Sequence, residues 1–229
     1  MVAPLSVVIP TLDAEQELPD ALQCLMEGVS AGLVRELVIS DGGSRDATLA
    51  IADAAGAVVV SGPAGRGGQL RRGAAVASGQ WMLFLHADTH LAAGWVCAVE
   101  YHIRQSEAAA VFKLRFRADG IRPRIVAGWA NLRSKMGLPY GDQGLLISRE
   151  FYDKLDGYPD IPLMEDVAMA RKLHRNIRLL SVRASTSAHK YIHEGWLRRG
   201  ARNLLTLMYY LAGVAPEKLV SRYQRRGSI

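Results

Sequence analysis

Short runs of β-branched and large apolar residues alternate along the first hundred positions with longer stretches whose apolar residues recur every three or four places. That alternation predicts an α/β fold built on a parallel sheet. Leu5–Ile9, Leu37–Ser40, Ala57–Ser61 and Trp81–Leu85 read as buried strands. Between them, Glu15–Glu27 sets Leu18, Ala21, Leu22 and Leu25 on one helical face, Ala47–Ala55 starts just after an Asp46 suited to cap it, and Gln69–Ala77 follows a glycine-rich stretch at 62–68. Beyond residue 106 the alternation loosens. Ala109–Arg117 reads as a strand, Ile121–Met136 as a helix with Val126, Trp129, Ala130 and Leu132 apolar, and Gly144–Ser148 as a short strand. A helix from Glu165 to His174, a strand at Ile177–Val182 and a helix at Gly195–Gly213 complete the pattern. Neither an internal repeat nor a low-complexity linker interrupts it. Residues 1–229 are therefore expected to form one domain, with a first half at 1–106, a second at 107–180 and a helical segment at 181–229.

In an open parallel sheet, ligands bind beyond the carboxyl ends of the strands. The loops that follow the four early strands are the polar ones: Pro10-Thr11-Leu12-Asp13, then Asp41 to Asp46, then Pro63 to Arg72, then His86-Ala87-Asp88-Thr89-His90. One such loop is ordinary turn chemistry. Four on one rim predict a crevice lined with hydrogen-bonding groups.

Composition narrows the class. With 229 residues, 49% of them hydrophobic, and 28 Lys and Arg against 22 Asp and Glu, the chain is neither disordered nor a stapled mini-protein. Its two cysteines, Cys24 and Cys97, lie far apart in apolar, helical-looking stretches and read as reduced and buried. No stretch has the make-up of a signal peptide or the roughly 20 apolar residues of a membrane span, so a cytoplasmic protein is expected, at most peripheral to the inner face of a membrane. The charge is uneven. Residues 171–229 hold 13 basic and 2 acidic side chains, and the rest of the chain is acidic on balance. A basic segment of this kind suits nucleic acid, an anionic membrane or a phosphorylated substrate.

Two clusters carry candidate chemistry. Asp88 follows a hydrophobic strand, where a hard oxygen can hold Mg²⁺ or Mn²⁺ against a diphosphate, and His86 and His90 share its face at i−2 and i+2. Glu165-Asp166 opens a helix. Acids there suit the helix dipole, and a carboxylate at the mouth of a crevice is equally suited to take a proton from a hydroxyl nucleophile.

The ordered set Val8-Ile9-Pro10-Thr11-Leu12-Asp13, Ser40-Asp41-Gly42-Gly43-Ser44-Arg45-Asp46-Ala47-Thr48, Phe84-Leu85-His86-Ala87-Asp88-Thr89 and Met164-Glu165-Asp166 resembles the motifs of family 2 glycosyltransferases. The likeness runs from residue 5 to about 180. Gly141-Asp142-Gln143-Gly144 through Phe151, Gly157-Tyr158-Pro159 and Arg202-Asn203-Leu204-Leu205 also resemble a small stand-alone branch of that family assigned to arsenosugar biosynthesis. The resemblance implies a GT-A fold, a three-layer α/β sandwich on a mostly parallel mixed sheet. It also implies a UDP- or GDP-sugar donor, a divalent metal and inversion at the anomeric carbon. Pro10, Thr11, Asp13, Asp41, Gly43, Ser44, Arg66, Arg71 and Asp88 would bind the nucleotide sugar, with Asp88 and His86 or His90 on the metal. Asp166 would be the catalytic base, with Glu165 beside it. Gly141, Asp142 and Gln143 would line the side of a small-molecule or lipid-linked hydroxyl acceptor.

The chain departs from the family twice: His86 stands where the first Asp of the Asp-x-Asp motif belongs, and Gly42 where the second loop has a second acid. His189 or His193 of the basic segment is a further candidate for completing the metal site. The competing classes are a nucleotidyltransferase and a basic module that binds nucleic acid or membrane over an inactive crevice. The glycine-rich loop follows the third strand, not the first, which argues against the nucleotidyltransferase, and the spacing of Gly62, Gly65, Gly67 and Gly68 is not the dinucleotide fingerprint. No nucleic-acid motif is present, so no nucleic acid partner is expected. The apolar last helix, entered through Arg198, Arg199 and Arg202, suits a homodimer contact or an interfacial helix.

Overall fold

The computed structural model describes residues 3–225 and the side chains of residues 3–220. Arg226 of the basic segment lies outside the described residues, and the side chain of Arg225 outside the described side chains. One eight-stranded sheet runs from residue 5 to residue 186, in the order β3-β2-β1-β4-β7-β6-β8-β5. Its strands are β1 (Leu5–Thr11), β2 (Val34–Asp41), β3 (Val58–Ser61), β4 (Trp81–Phe84), β5 (His90–Leu91), β6 (Ala109–Phe116), β7 (Leu145–Ser148) and β8 (Ile177–Thr186). β1 to β4 are mutually parallel, as is the β6–β8 pair, whereas β7 runs antiparallel to β4 and β6.

Successive side chains of a strand face opposite ways, and here the two sets fill two cores. Leu5, Val7, Ile9, Ile39 and Leu83 join one core with Leu18 and Leu25 of α1 (Leu18–Ser30) and with Trp95, Val96 and Val99 of α4 (Trp95–Gln105). Val8, Val38, Met82 and Phe84 join the other with Leu70 and Ala74 of α3 (Arg66–Val76), Tyr152 of α6 (Arg149–Lys154) and Met169 of α7 (Glu165–Lys172). The result is the three-layer sandwich, its central strands buried on both faces. The remaining helices are α2 (Thr48–Ala54), α5 (Ile121–Lys135), α8 (His189–Glu194), α9 (Trp196–Leu211) and α10 (Pro216–Arg225). No helix among the described residues is long and apolar enough to cross a membrane.

Several expectations need correction. Strand β3 is an edge strand whose Val58 and Val59 are exposed, because only β2 pairs with it. Cys24 is half-buried and Cys97 exposed, both as free thiols, since α1 and α4 turn their larger apolar residues inward instead. Asp46 accepts hydrogen bonds from the Thr48 N–H and hydroxyl, one residue ahead of the cap position of α2. Helix α3 starts three residues earlier than expected, inside the glycine-rich stretch. A Cβ on Gly67 would stand 2.3 Å from the Pro159 carbonyl and one on Gly68 2.7 Å from Asp160, so these glycines bring α3 against the loop before α7.

The rim over the parallel strands depends on one buried side chain. The Gln69 amide donates to the Thr11 carbonyl (2.7 Å) and the Ser40 carbonyl (2.9 Å), and its oxygen accepts from the Gly65 N–H (3.2 Å). It therefore ties the ends of β1 and β2 to the start of α3. Gln69→Glu keeps the volume but cannot donate twice, and it sets a carboxylate against two carbonyls. We expect it to cost about 1–3 kcal/mol at pH 7. The introduced acid has a folded-state pKa above its unfolded value, so the deficit is complete at neutral pH and shrinks as the pH falls toward ~4.3. Urea unfolding of both proteins at pH 7 and pH 4.5 checks this; equal stability at pH 7 would remove Gln69 from the role.

Candidate active site

Beyond the carboxyl ends of β1 and β4 opens a cleft of about 630 Å³. Its walls come from the loop after β1, the start of α3, the loop after β4, the turn at 140–142, the start of α7, and the connection from β8 through α8 to α9. Of the residues singled out in the sequence, Pro10, Thr11, Asp13, Arg66, His86, Asp88, Asp142, Glu165 and Asp166 line this one space.

Asp41, Gly43 and Ser44 lie outside that lining and form the support behind Thr11. The Asp41 carboxylate is buried and accepts from the Ser44 hydroxyl (2.5 Å), the Thr11 hydroxyl (3.0 Å) and the Gly43 and Ser44 N–H groups (2.7 and 2.9 Å). Burial pushes its pKa up, but these four donors outweigh burial and hold it below the ordinary carboxylate range. The Ser44 hydroxyl also accepts from the Asp13 N–H. The second loop thereby fixes the first.

Across the rim, Asp88 accepts from the Thr186 hydroxyl through Oδ2 (3.1 Å), and its carbonyl accepts from Arg117 (2.7 Å). His86 sets Nδ1 3.2 Å from Asp142 Oδ1. Burial raises the Asp142 carboxyl, but the hydrogen bond and charge of His86, with Arg66 and Lys190 further off, bring it down to about 2. His90 lies outside the cleft lining, on β5 opposite Ser185. Its Nε2 is buried without a hydrogen-bond partner, and burial, then Arg117, lower its pKa.

The paired acids at the start of α7 separate by environment. Asp166 is held from both sides: Gly141 N–H donates to Oδ2 (2.8 Å) and Val167 N–H to Oδ1 (2.7 Å). Glu165 is buried 3.5 Å from Arg66 Nη1; burial and the neighbouring Asp166 raise its pKa against the pull of Arg66. Arg66 itself stands among Glu165, Asp142, Asp166 and Asp88, whose combined charge outweighs the burial that opposes its ionisation. Gly141 leaves no room for a side chain, since a Cβ there would sit 2.6 Å from His86 Nε2. Gln143 turns into the protein, where it accepts from the Ser134 hydroxyl (2.5 Å) and donates to the Phe112 carbonyl (2.9 Å). Arg71 turns to the loop after α6, bonding the Asp156 carboxylate (2.9 Å) and the Asp156 and Tyr158 carbonyls.

The fold brings in several residues to which the sequence reading gave no place in the nucleotide-sugar or acceptor site. Gln69 and Tyr140 line the cleft, as do Lys190, Tyr191 and Asn203 from the C-terminal helices, together with Arg199. His189 lines it and His193 does not. Tyr140 lies on a buried cation, with the Arg133 guanidinium 3.2 Å from its ring centroid, and burial pushes the Tyr140 hydroxyl up to about 12. The basic character of 181–229 was visible beforehand. That α8 turns part of it into the cleft was not, because a six-residue helix is too short to show a period.

Known proteins share this fold. Residues 6–155 match the family model described as glycosyl transferase family 2. No curated protein matches the chain in sequence. Among solved structures, S. aureus TarS aligns with a TM-score of 0.63 and 16% identity, over 97% of this chain and 43% of that one, so the chain spans less than half of that structure's length. TarS 1–349 in complex with UDP-GlcNAc aligns with a TM-score of 0.61 and 17% identity, over 80% of this chain and 58% of that one. The glucosyl-3-phosphoglycerate synthase of Mycobacterium tuberculosis in complex with Mn²⁺, UDP and glucosyl-3-phosphoglycerate aligns with a TM-score of 0.53 and 24% identity, over 80% and 70%. At these identities the structures show a shared GT-A fold. The family match covers the loops after β1, β2, β3 and β4 and most of the sheet, and on that ground the chain belongs to glycosyl transferase family 2.

Proposed function

We propose that the protein transfers a hexose from a UDP- or GDP-sugar to a hydroxyl acceptor by a single inverting displacement. The observation that carries this reading is the convergence of Arg66, Asp88 and a backbone-pinned Asp166 on one cleft. TarS 1–349 is in complex with UDP-GlcNAc and the mycobacterial synthase with UDP and Mn²⁺, which supports a nucleotide-sugar donor and a divalent metal.

The donor set fits a metal held mainly by its substrate. No group of three or more metal-ligating side chains occurs among the described residues, and Asp88 has only Oδ2 engaged, by Thr186. Mg²⁺ and Mn²⁺ in such sites take one or two carboxylates, with diphosphate oxygens and water completing the shell. When bound, the ion would neutralise charge on the departing nucleoside diphosphate.

The chain's own groups do the rest. Arg66, anchored by Glu165, faces the diphosphate as a second positive charge. Asp166 is fixed in plane by its two N–H donors and accepts the acceptor's hydroxyl proton while that oxygen bonds to the anomeric carbon. The bond from that carbon to the diphosphate oxygen breaks at the same time, and the electron pair leaves with the diphosphate. One displacement inverts the configuration. His86 and Asp142 make up the acceptor wall, so the carboxylate missing at position 86 is present across the turn as Asp142.

Three outcomes are expected. Asp166→Asn should lower kcat by about a hundredfold to ten-thousandfold in a donor-consumption assay and leave the thermal shift by UDP or GDP in place; retained transfer would sink the base assignment. Asp88→Ala should abolish the part of that nucleotide shift that requires Mn²⁺, and an unchanged Mn²⁺ dependence would place the metal elsewhere. Glu165→Gln frees Arg66 and should raise the donor KM about tenfold with kcat nearly unchanged, whereas a collapse of kcat with KM intact would make Glu165 the base.

A further inference from the structure

Helix α5 is packed inside out. It buries Pro123, Ala127, Ala130, Arg133 and Ser134 and exposes its large apolar residues. Ile121, Ile125, Trp129, Leu132 and Met136, at spacings of four, four, three and four, form a single stripe with relative exposures of 69, 63, 49, 51 and 48%. Of the apolar residues noted in the sequence of this helix, Trp129 and Leu132 thus lie on the exposed side and Ala130 on the buried one. Helix α9 packs against α5 and behaves likewise: it buries Thr206 and Leu207 and exposes Leu197, Leu204, Leu205, Met208 and Leu211. A folded chain rarely leaves two adjacent apolar stripes in water without a partner.

The charges beside the stripes identify the partner. Neither α5 nor α9 contains an acidic residue, and Arg122, Arg124, Lys135 and Arg198 are exposed on them. A second copy docked about a two-fold axis would set these like charges against one another. Nucleic acid would meet the cations but leave the apolar stripes uncovered. An anionic lipid surface satisfies both, because an amphipathic helix lying in the interface sinks its apolar stripe among acyl chains while flanking Arg and Lys meet headgroup charge. We propose that the α5–α9 face docks the protein peripherally on anionic membranes. The buried face of α5 holds the acceptor wall of the cleft, through Arg133 under Tyr140 and Ser134 on Gln143. Docking would therefore hold this wall of the cleft one helix away from the lipid surface; reading that wall as the acceptor side rests on the proposed function, whereas the docking does not.

Vesicle sedimentation tests it on the intact chain. Vesicles of phosphatidylcholine mixed with phosphatidylglycerol should pull the protein down, and vesicles of phosphatidylcholine alone should not. The double variant Ile125→Glu/Trp129→Glu should partition at least about tenfold more weakly. Arg122→Glu/Arg124→Glu should lose the preference for anionic lipid. Trp81 and Trp95 are buried and Trp196 packs on Phe116 and Tyr191, so a blue shift of tryptophan emission on the mixed vesicles should come from Trp129 and vanish in Trp129→Phe. Thermal melting confirms that each variant is folded, which all four surface positions should permit. Failure to sediment with anionic vesicles, or undiminished binding by the double Glu variant, overturns the proposal. So does a dimer in light scattering that the same variant converts to monomer, which would assign the face to a second copy.

Discussion

Strand β7 enters the sheet in reverse, antiparallel to β4, and the wall of the cleft at the 140–142 turn follows from that constraint. Its pairing sets Leu145 opposite Phe84, so the turn that leads into β7 arrives at the rim where the loop out of β4 leaves. Had β7 run parallel, residues 139–144 would stand at the opposite ends of the strands, away from the rim. The approach is close enough to dictate residue type: a Cβ on Gly144, at φ +64, would meet Leu85 at 2.8 Å, and one on Gly141 would meet His86. With the turn in place, its Gly141 N–H reaches Asp166 and its Asp142 reaches His86. One strand reversal thus joins motifs that lie about 80 residues apart in the chain.

The acids gathered there are not equivalent, and their surroundings sort them. Asp142 is held near 2 by His86 and the cations behind it, so it stays ionised through the working range. Glu165, buried beside another carboxylate, is raised, and only Arg66 limits that rise. Carboxyl groups pushed apart in this way take different tasks on one scaffold. Glu165 is engaged from the interior with Arg66. Asp166, less deeply buried and bonded by two N–H groups, faces the cleft.

Much of this was legible in the chain. Near-continuous apolar runs marked the central strands because both faces of the sheet are covered, and the polar loops after them identified the rim. The helical-looking stretch around Cys97 is α4, which turns Trp95, Val96 and Val99 to the core. Other features left no trace in sequence. Helices α6 and α8 span six residues each, under two turns, so no period can emerge. For Asp41, Gln143 and Arg71, residue type announces hydrogen bonding but not with whom, and the fold engages them in holding loops together. A periodic stripe on α5 was visible, but periodicity says only that a face exists, not which side meets the core.

The side of α5 that meets the core is decided by polar geometry. Asn131 bonds both the N–H and the carbonyl of Leu114 on β6, which fixes the rotation of the helix, and Ala127 and Ala130 are small enough to let it lie close. That rotation forces Arg133 inward, where Nη1 and Nη2 find no hydrogen-bond partner and burial lowers its pKa. An uncompensated buried guanidinium is costly. The face of the Tyr140 ring against it supplies part of the compensation, with the carboxylates of Asp166 and Asp142 adding attraction from further away. The cation under Tyr140 is therefore held by the very acids that line the cleft. Any displacement of α5 must move Tyr140, and with it the turn whose Gly141 N–H holds Asp166 in plane.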